Sequence, residues 1–475
     1  MPAQPHIAIL GAGPGGYVAA IRAAQLGARV SVVEAQALGG VCLNWGCIPS
    51  KALLAVVELG DKVKKAAPMG LHVNGPVTYD LSQMVARKNQ VVTGLVKGIA
   101  TLFKAWDIEY VEGRGVLQDR HRLRVILKDG VEQSMSADAI IIATGSSWPD
   151  LPQFPIDGRQ ILTSQQLLDL TAIPRRLLII GGGVEGCEFG ALYSGLGTEV
   201  TIVELMDRIL PLEDADVSST MSRELKKRNV TVITGTTVER LNRQERTVSA
   251  HLKDGATVEA EVLLVSVGRG LNSRGIGLEA VGVQTGRRGE ILVNAQMETS
   301  VSGIYAIGDV TGKAMLAHVA SAQGKVAVEH IMGHPTAMQY DVVPAGIFTL
   351  PEIGRVGLTE AQARERTEKD DAPNGGLKIG RFRYMALGKA QAAGDTTGFC
   401  KVIADAHSGK ILGVHIVGAH AADLIHEAAL AMQVGATVSQ VAEMIHAHPT
   451  LAEGLMEAAE DAEDRAIHHV KKKVG

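Results

Sequence analysis

The feature that most constrains the fold of this chain is a strand–turn–helix–strand unit that occurs twice. In the first copy, an apolar strand leads into Gly11–Gly16, an alanine-rich helix is expected from about Tyr17, and the next strand ends at Glu34. In the second copy, the turn is Gly181–Gly186, a helix is expected from about Cys187, and the closing strand ends at Glu204. Both turns have the G-x-G-x-x-G spacing of a dinucleotide-binding loop. The repeat therefore predicts two dinucleotide-binding domains of the α/β class.

The residue types in these loops suit the binding of a dinucleotide. Glycines let the backbone turn tightly and approach a pyrophosphate, and the helix N-terminus offers it unpaired N–H groups. Glu34 and Glu204 are placed to accept hydrogen bonds from a ribose, and a carboxylate favours NAD over NADP, although Arg208 lies close to Glu204. Two structural alternatives remain: the glycines only permit close packing, and Glu204 is an exposed strand end. The glycines that we expect to bind cofactors are Gly11, Gly13, Gly16, Gly181, Gly183 and Gly186.

Each unit is followed by the same downstream pattern. Hairpin turns are predicted at Lys128–Gly130 and Lys253–Gly255, and each hairpin feeds an apolar strand that ends in glycine. Prolines 149, 152 and 155 mark a linker between the two units. Beyond the second unit, we expect another strand ending at Gly308-Asp309, helices at about 316–332, 420–435 and 450–470, and a loop at 370–376.

Length and composition exclude several classes of protein. A chain of 475 residues predicts about three or four domains. A net charge of −4 without a basic stripe argues against nucleic-acid binding, and Lys471–Lys473 is interpreted as a solvated tail. The N-terminus does not resemble a signal peptide, and we find no apolar run long enough to span a membrane. Four cysteines are too few for a disulfide framework, so a reducing, cytoplasmic compartment is expected.

Two of the cysteines lie close together just after the first glycine loop. Cys42 and Cys47 are separated by four residues within the segment 39–51, and both are expected near a helix N-terminus, where a thiolate is stabilised. A thiol pair stores two electrons and a dinucleotide carries two, so the pair suggests electron exchange between a disulfide and a dinucleotide. The alternatives are a metal site and two unrelated buried cysteines. Cys187 and Cys400 are interpreted as packing residues.

A second chemical cluster lies near the C-terminus. His448 follows His446 and precedes Pro449, and Glu453 comes about one helical turn later. A histidine titrates near neutral pH and can take a proton from a thiol, while a carboxylate can fix its tautomer. Taken alone, this pattern indicates a His-rich turn that caps a helix more often than it indicates a base. Beside redox cysteines it predicts the base that thiol–disulfide exchange needs.

These motifs together resemble the flavin-dependent pyridine-nucleotide disulfide oxidoreductases, and among them most closely the dihydrolipoyl dehydrogenases. The resemblance covers nearly the whole chain. It implies two Rossmann-like domains and a C-terminal α+β dimerisation domain, with FAD at the first site and NAD at the second. The implied domains are an FAD-binding domain at 1–148, an NAD-binding domain at 149–270, a central domain completing the FAD site at 271–343, and an interface domain at 344–475.

The resemblance also assigns roles to individual residues. Cys42 is implied to exchange with dihydrolipoamide, and Cys47 to face the flavin. Lys51 and Glu188 match an ion pair beside the reactive face of the flavin. The remaining positions expected to contact the cofactors are Gly115, Thr144, Gly145, Gly268, Arg269, Gly308, Asp309, Met315, Leu316, Ala317 and His318.

The implied reaction needs two subunits. His448 matches the catalytic base and Glu453 its orienting partner, and in the family both belong to the active site of the other subunit, so an obligate homodimer is expected. The implied activity is oxidation of dihydrolipoamide on a lipoyl carrier domain, with electrons passing through Cys47 and FAD to NAD+. Such an enzyme would serve a 2-oxo acid dehydrogenase complex or a glycine-cleavage system.

Several alternatives share this scaffold. A mercuric reductase is expected to carry a C-terminal cysteine pair, a glutathione reductase basic residues in place of Glu204, and a soluble transhydrogenase no cysteine pair. A related reductase acting on another disulfide or acceptor remains an alternative, as does a binding subunit with slow chemistry. One departure from the family bears on this choice, since Glu185 stands in the second glycine loop where an apolar residue is usual.

Overall fold

The computed structural model describes residues 4–369 and 376–468, so most of the loop expected at 370–376 and the tail Lys471–Lys473 lie outside the described residues. The strands are β1 (His6–Leu10), β2 (Arg29–Glu34), β3 (Glu109–Asp119), β4 (Arg122–Leu127), β5 (Glu132–Ser136), β6 (Ala139–Ile142), β7 (Ser146–Ser147), β8 (Ile161–Leu162), β9 (Arg176–Ile180), β10 (Glu199–Val203), β11 (Val230–Ile233), β12 (Val238–Arg243), β13 (Val248–Leu252), β14 (Thr257–Ala260), β15 (Val262–Val265), β16 (Gly270–Leu271), β17 (Ile304–Ala306), β18 (Ala345–Ile347), β19 (Glu352–Gly357), β20 (Leu377–Arg383), β21 (Phe399–Asp405) and β22 (Ile411–Gly418). The helices are α1 (Pro14–Gln25), α2 (Gly40–Trp45), α3 (Cys47–Lys64), α4 (Leu81–Ala105), α5 (Ser164–Leu167), α6 (Val184–Gly195), α7 (Ala215–Lys227), α8 (Leu278–Val281), α9 (Ala317–Ile331), α10 (Glu360–Lys369), α11 (Gly388–Ala393), α12 (Ala421–Gln433), α13 (Val438–Glu443) and α14 (Glu453–Ala462).

The first repeat forms a seven-stranded sheet in the order β17-β6-β1-β2-β3-β4-β5. The strands β17, β6, β1, β2 and β3 run parallel, and β4 and β5 form the hairpin predicted at Lys128–Gly130. The central strands are continuous apolar runs because helices cover both faces of such a sheet. On one face α1 packs tightly against α9, where a Cβ at Gly324 would lie 2.7 Å from the carbonyl oxygen of Gly15.

The second repeat forms a five-stranded parallel sheet in the order β11-β10-β9-β15-β8. A separate three-stranded antiparallel sheet, β12-β13-β14, contains the second hairpin, so the turn predicted at Lys253–Gly255 is also confirmed. Two α/β units with matching hairpins confirm the doubly repeated architecture.

The helices of both glycine loops begin earlier than the sequence suggests. We expected them to begin at about Tyr17 and Cys187, whereas α1 begins at Pro14 and α6 at Val184. Proline is favoured at the first position of a helix because its missing N–H has no partner there in any case. Glycine disfavours a helix, yet the glycines of these first turns are helical. Packing of each helix against its sheet stabilises them in that conformation.

The segment 271–343 does not form a sheet of its own among the described residues. Its strand β17 extends the first sheet by pairing in parallel with β6, and β16 pairs with β7. The helix α9 then packs on α1. This segment therefore completes the first α/β unit in space although it follows the second unit in sequence.

The C-terminal segment forms a five-stranded antiparallel sheet in the order β18-β19-β22-β21-β20, with α12 and α14 packed on it. Glycines let these helices approach the strands closely. A Cβ at Gly354 would lie 2.1 Å from the carbonyl oxygen of Ala421, and a Cβ at Gly380 would lie 1.8 Å from that of Ala458. This α+β unit agrees with the predicted fold class.

One helical stretch is long and apolar enough, by length and composition alone, to cross a membrane. It spans Gly40–Lys64, and a third (33%) of its apolar window is buried inside the protein. Gly46 separates α2 from α3 within it. Leu53 and Val57 on α3 pack in the hydrophobic core.

A buried lysine joins the second α/β unit to the C-terminal sheet. Lys401, on β21, is 1% exposed, and its Nζ lies 2.7 Å from Asp214, 2.8 Å from Asp216 and 2.8 Å from Glu360. Burial alone would raise the pKa of Asp214, but the ammonium group and the Glu360 N–H hold that pKa below its usual range. Asp214 also caps α7 through the N–H of Asp216. The cluster holds α7 against the C-terminal sheet.

Replacing Lys401 with methionine should lower the free energy of unfolding by about 3–5 kcal/mol, because Asp214 would stay buried without its cation. The measurement is guanidinium unfolding followed by circular dichroism. The matched control is Lys378→Met, which removes a half-exposed pair with Glu463 and should cost at most about 1 kcal/mol. Equal losses from the two variants would contradict a special role for the buried cluster.

Candidate active site

The first glycine loop lies at the carboxyl ends of β1 and β6. Gly11 has a φ of +104°, and a Cβ there would lie 2.2 Å from the carbonyl oxygen of Ala143. A Cβ at Gly16 would lie 1.9 Å from the carbonyl oxygen of Gly11. Because α1 begins at Pro14, the free N–H groups of its first turn point toward the loop, where an anion such as a pyrophosphate is stabilised.

The second glycine loop repeats this construction. Gly181 has a φ of +106°, and a Cβ there would lie 2.0 Å from the carbonyl oxygen of Ser266. A Cβ at Gly186 would lie 1.9 Å from the carbonyl oxygen of Gly181, and Gly183 directly precedes α6. The same close approaches at matching positions give the two loops the same backbone shape.

The glutamates at the strand ends hold the loops in place. One oxygen of Glu34 accepts a hydrogen bond from the N–H of Ala12 (2.6 Å), and the other accepts from Gln36 (2.7 Å). Glu204 accepts in the same way from Gly182 (2.6 Å) and Met206 (2.8 Å). Each carboxylate oxygen has two acceptor sites, so capacity remains for a ribose hydroxyl. Both glutamates therefore shape the backbone of their loop, a role that sequence reasoning missed.

The cysteine segment packs directly on the first glycine loop. Cys42 lies in α2, Cys47 is the first residue of α3, and the two form a disulfide with a Cα–Cα distance of 4.7 Å. Gly40 has a φ of +62°, and a Cβ there would lie 2.6 Å from the Cα of Gly13. Among residues 4–369 and 376–468, no group of three or more His, Cys, Asp or Glu residues could hold a metal ion. The redox interpretation of the pair is thus the one that the geometry supports.

A cavity of about 940 Å³ joins the disulfide to the first glycine loop. Its lining comes from both α/β units and from α9. Among the predicted cofactor contacts and cysteines, the lining includes Gly11, Gly13, Glu34, Cys42, Cys47, Gly115, Thr144, Gly145, Arg269, Gly308, Asp309, Met315 and Ala317.

One wall of the cavity is a chain of polar groups. Ser146 donates a hydrogen bond through its hydroxyl to Asp309 and accepts one from Nε of Arg269 (2.8 Å). A second guanidinium N–H of Arg269 donates to the carbonyl oxygen of Ser146 (2.8 Å), and the guanidinium lies 4.6 Å from the ring centre of Trp148. Ser146 and Trp148 were not among the predicted site residues. Their position directly after Thr144-Gly145 was the available signal.

The turn that carries Asp309 is held from α9. The buried side chain of Gln323 accepts a hydrogen bond from the N–H of Gly308 (2.6 Å) and donates one to the hydroxyl of Tyr340 (2.8 Å). Gly308 has a φ of +74°, which favours glycine at this turn. The amide of Gln323 therefore fixes the backbone next to Asp309.

An ion pair connects all three parts of the protein behind the cysteines. Nζ of Lys51, one turn after Cys47 on α3, lies 2.7 Å from Oε2 of Glu188 on α6. The other oxygen of Glu188 accepts a hydrogen bond from the N–H of Phe348 (2.9 Å), whose ring centre lies 4.6 Å from the Lys51 ammonium. The structure thus brings Lys51 and Glu188 together as predicted, and it adds Phe348.

His448 and Glu453 form the predicted pair in the C-terminal unit. Nδ1 of His448 lies 2.8 Å from Oε1 of Glu453, and the other oxygen of Glu453 accepts from the N–H of Thr450 (2.8 Å). Burial raises the pKa of Glu453, but the bonds from Thr450 and His448 outweigh it and bring that pKa below its usual range. With Nδ1–H donating to the carboxylate, Nε2 is left as the proton acceptor.

The same chain does not bring this pair into the cavity. The side chain of His448 is 75% exposed, and the described residues that line the cavity include neither His448 nor Glu453. The cysteines and the candidate base therefore lie on different surfaces of one subunit.

The neighbouring His446 supports the segment that carries His448. Its Nε2 lies 2.8 Å from Oε1 of Glu427 on α12, and its Nδ1 lies 3.0 Å from the carbonyl oxygen of Met444. The bond to Glu427 raises the pKa of His446. Two acceptors facing both ring nitrogens are satisfied together only by the protonated ring. Sequence reasoning treated His446 as part of the motif and gave it no partner.

Three further positions predicted to contact cofactors, Leu316, His318 and Gly268, are not among the described residues that line the cavity. Leu316 precedes α9 directly, and His318 Nε2 lies 2.8 Å from the carbonyl oxygen of Pro344. Gly268 has a φ of +109° and follows the strand β15. Cys187 and Cys400 are buried thiols, as expected for packing residues.

Comparisons with known proteins agree with this geometry. Residues 5–324 match the model of the family described as pyridine nucleotide-disulphide oxidoreductase, and residues 343–459 match the dimerisation domain of that family. The dihydrolipoyl dehydrogenase of Chlorobaculum tepidum is 42% identical over 467 residues, which cover 97% of each chain. That of Bacillus subtilis is 42% identical over an alignment of 482 positions, which covers 98% of this chain and 100% of the relative.

Solved structures show the same similarity. LpdA from Mycobacterium tuberculosis superposes with a TM-score of 0.89 at 32% identity, covering 96% of this chain and 99% of the other. The HOCl-induced flavoprotein disulfide reductase RclA from Escherichia coli superposes with a TM-score of 0.84 at 26% identity, covering 96% of this chain and 99% of the other.

Proposed function

This chain belongs to the pyridine nucleotide-disulphide oxidoreductase family, and we infer from that membership that it is an FAD-dependent enzyme that oxidises dihydrolipoyl groups with NAD+. The observation that carries the proposal is the Cys42–Cys47 disulfide in the wall of the cavity that also contains the first glycine loop. A disulfide in that position can pass two electrons from a dithiol substrate to a bound dinucleotide.

The residues around the cavity fit FAD. A volume of about 940 Å³ is at the upper end of ordinary cofactor sites, which span roughly 300–1,000 Å³. Gly11 and Gly13 line the cavity where α1 begins, and the N-terminus of a helix stabilises a pyrophosphate. Glu34 has acceptor capacity for a ribose, and Asp309 lines the same cavity. Bound FAD would supply the acceptor for the two electrons that the cysteine pair receives.

The chemistry of the cysteines begins with a proton. Nε2 of His448 would take a proton from a thiol of the dihydrolipoyl group, and Glu453 would stabilise the imidazolium through Nδ1–H. The resulting thiolate attacks Sγ of Cys42, so a mixed disulfide forms and the Cys42–Cys47 bond breaks, leaving Cys47 as a thiolate. The second lipoyl thiol, once deprotonated, displaces Cys42 and closes the lipoyl disulfide.

A homodimer would provide the base. In one subunit, His448 lies outside the cavity, so its partner would be the cysteine pair of a second copy. Two observations support this arrangement: the C-terminal unit matches a dimerisation domain, and it exposes large apolar side chains. Examples are Leu430, Val434 and Ile445, the last of them 96% exposed. The lipoyl group would be carried by a domain of another protein.

The proposal includes a cytoplasmic location, which the free thiols of Cys187 and Cys400 support. It also includes a role in a 2-oxo acid dehydrogenase complex or a glycine-cleavage system, because these systems use a lipoyl carrier.

The test of the proposed function is an anaerobic titration of the FAD-loaded dimer with dihydrolipoamide. We expect the flavin bands to change and a long-wavelength absorbance to grow, because the Cys47 thiolate would lie beside the flavin. If NADH reduces the flavin and dihydrolipoamide does not, the substrate is another disulfide or another electron acceptor.

The nucleotide preference should depend on Glu204. Replacing Glu204 with glutamine should lower kcat/KM for NAD+ about 10- to 100-fold, because the variant loses charged hydrogen bonds both to the loop and to the ribose. Activity with NADP+ should fall less, since the repulsion of a 2′-phosphate is also removed. The matched control is Glu199→Gln, at the exposed start of the same strand, which should leave both values unchanged. An unaltered NAD+/NADP+ ratio would contradict the assignment.

A further inference from the structure

Glu185 extends from the second glycine loop into the cavity of the first. It lies in the first turn of α6, and its Oε2 accepts a hydrogen bond from the hydroxyl of Ser266 (2.9 Å), at the end of β15. Glu185 lines the same cavity as Cys42 and Cys47, where the two dinucleotide units meet. A carboxylate is thus fixed at the junction between the units.

Arg269 also lines this cavity, and its hydrogen bonds go to a partner other than Glu185. Arg269 donates two hydrogen bonds to Ser146 and lies over the ring of Trp148, whose Nε1–H donates to the hydroxyl of Ser164 (3.0 Å). The charges of Glu185 and Asp309 both act on Arg269. Because its guanidinium is held by Ser146 and Trp148, Arg269 lines the cavity without a hydrogen bond to Glu185 among those of the described residues.

The direction of a bound dinucleotide follows from the second unit. Glu204 lies at the adenosine side of the loop, and the N-terminus of α6 stabilises the pyrophosphate. The remaining half of the dinucleotide must then extend past the first turn of α6 and into the cavity that contains the disulfide. That path leads the nicotinamide ring past Glu185.

We propose that Glu185 is a specificity-determining residue that favours the oxidised, positively charged nicotinamide ring over the reduced, neutral ring. This inference rests on the proposed function, since it takes NAD+ as the acceptor. A fixed carboxylate attracts the positive ring of NAD+, and that attraction disappears when hydride transfer makes the ring neutral. The apolar side chain usual at this position in the family would give no such difference.

This discrimination has a consequence for turnover. The protein would bind NAD+ more tightly than NADH by the difference between the two binding free energies. NADH would therefore compete less well with NAD+ for the second site. Glu185 would lessen the inhibition of dihydrolipoyl oxidation by accumulated NADH, without changing the equilibrium of the reaction.

The experiment is calorimetric titration of the oxidised, FAD-loaded dimer with three ligands. NAD+ carries the positive ring, 1,4,5,6-tetrahydro-NAD carries a neutral ring that cannot donate hydride, and ADP-ribose carries no ring. For Glu185→Gln, we expect the Kd of NAD+ to rise about three- to tenfold, and the other two values to stay within experimental error. Glu199→Gln is the surface control and should change none of the three.

Two results would overturn the inference. An unchanged Kd for NAD+ would show that Glu185 does not attract the positive ring. An equal rise in the Kd of all three ligands would show that Glu185 only supports the loop. Binding of ADP-ribose reports an intact second site, so it also serves as the test of folding for the variant. A native dimer that binds none of the ligands would instead overturn the proposed function, and this inference with it.

Discussion

Replacing Cys47 with serine is expected to lower turnover of dihydrolipoamide by at least about 10³-fold, because a serine hydroxyl forms no disulfide and gives no thiolate at neutral pH. FAD should stay bound, since Cys47 is one of many residues that line the cavity. The measurement combines steady-state rates with the visible spectrum of the reduced protein. We expect no long-wavelength absorbance from this variant.

Cys42→Ser is the matched variant for this experiment. It should lose dihydrolipoamide turnover as well, yet it keeps the Cys47 thiolate and therefore the long-wavelength absorbance. Both variants should still pass electrons from NADH to an artificial acceptor such as ferricyanide, a reaction that does not need the disulfide. Retained dihydrolipoamide turnover in Cys47→Ser, or identical spectra for the two variants, would refute the separate roles of the cysteines.

The second large effect is expected at the base. Replacing His448 with glutamine should lower turnover of dihydrolipoamide about 10²- to 10⁴-fold, the usual contribution of a general base. The pH dependence that this base gives to the rate should disappear with it. The control is His426→Gln, an exposed histidine on α12 of the same unit, which should keep the full rate. A near-normal rate for His448→Gln would exclude it as the base.

Mixed dimers would test whether His448 acts across subunits. If it does, a dimer of one Cys47→Ser subunit and one His448→Gln subunit has one site with both changes and one intact site. Statistical reassociation of equal amounts should then recover about a quarter of the normal activity, because half of the dimers are mixed. If His448 serves its own subunit, every site is damaged and no activity returns.

Much of this arrangement could be predicted from sequence because it depends on local pattern. The glycine loops, the hairpins and the Cys42–Cys47 pair follow from turn chemistry and spacing, which neighbouring residues determine. The beginnings of α1 and α6 were less predictable. Glycine disfavours helices in general, so only the packing of each helix against its sheet explains why the helices start inside the glycine loops.

The features that were missed depend on contacts between distant parts of the chain. No local pattern in β21 indicates that Lys401 meets Asp214, and none near Ser146 shows that Arg269 will bond to it. The backbone bonds of Glu34 and Glu204 could not be predicted for another reason. The spacing of a strand-end glutamate after a glycine loop indicates a ribose contact, and it does not show that the same carboxylate also bonds to the loop backbone.

The position of β17 has a consequence for how the protein is made. The first sheet places β6 next to β17, and the whole second unit lies between them in sequence. The ribosome synthesises β6 long before Ile304–Ala306. The edge of β6 that will pair with β17 therefore has no neighbouring strand while residues 143–303 are synthesised. An open strand edge invites pairing with other chains. The second unit, whose strands are contiguous in sequence, can fold during that interval. The first unit is completed only after β17, in the segment 271–343, has been synthesised.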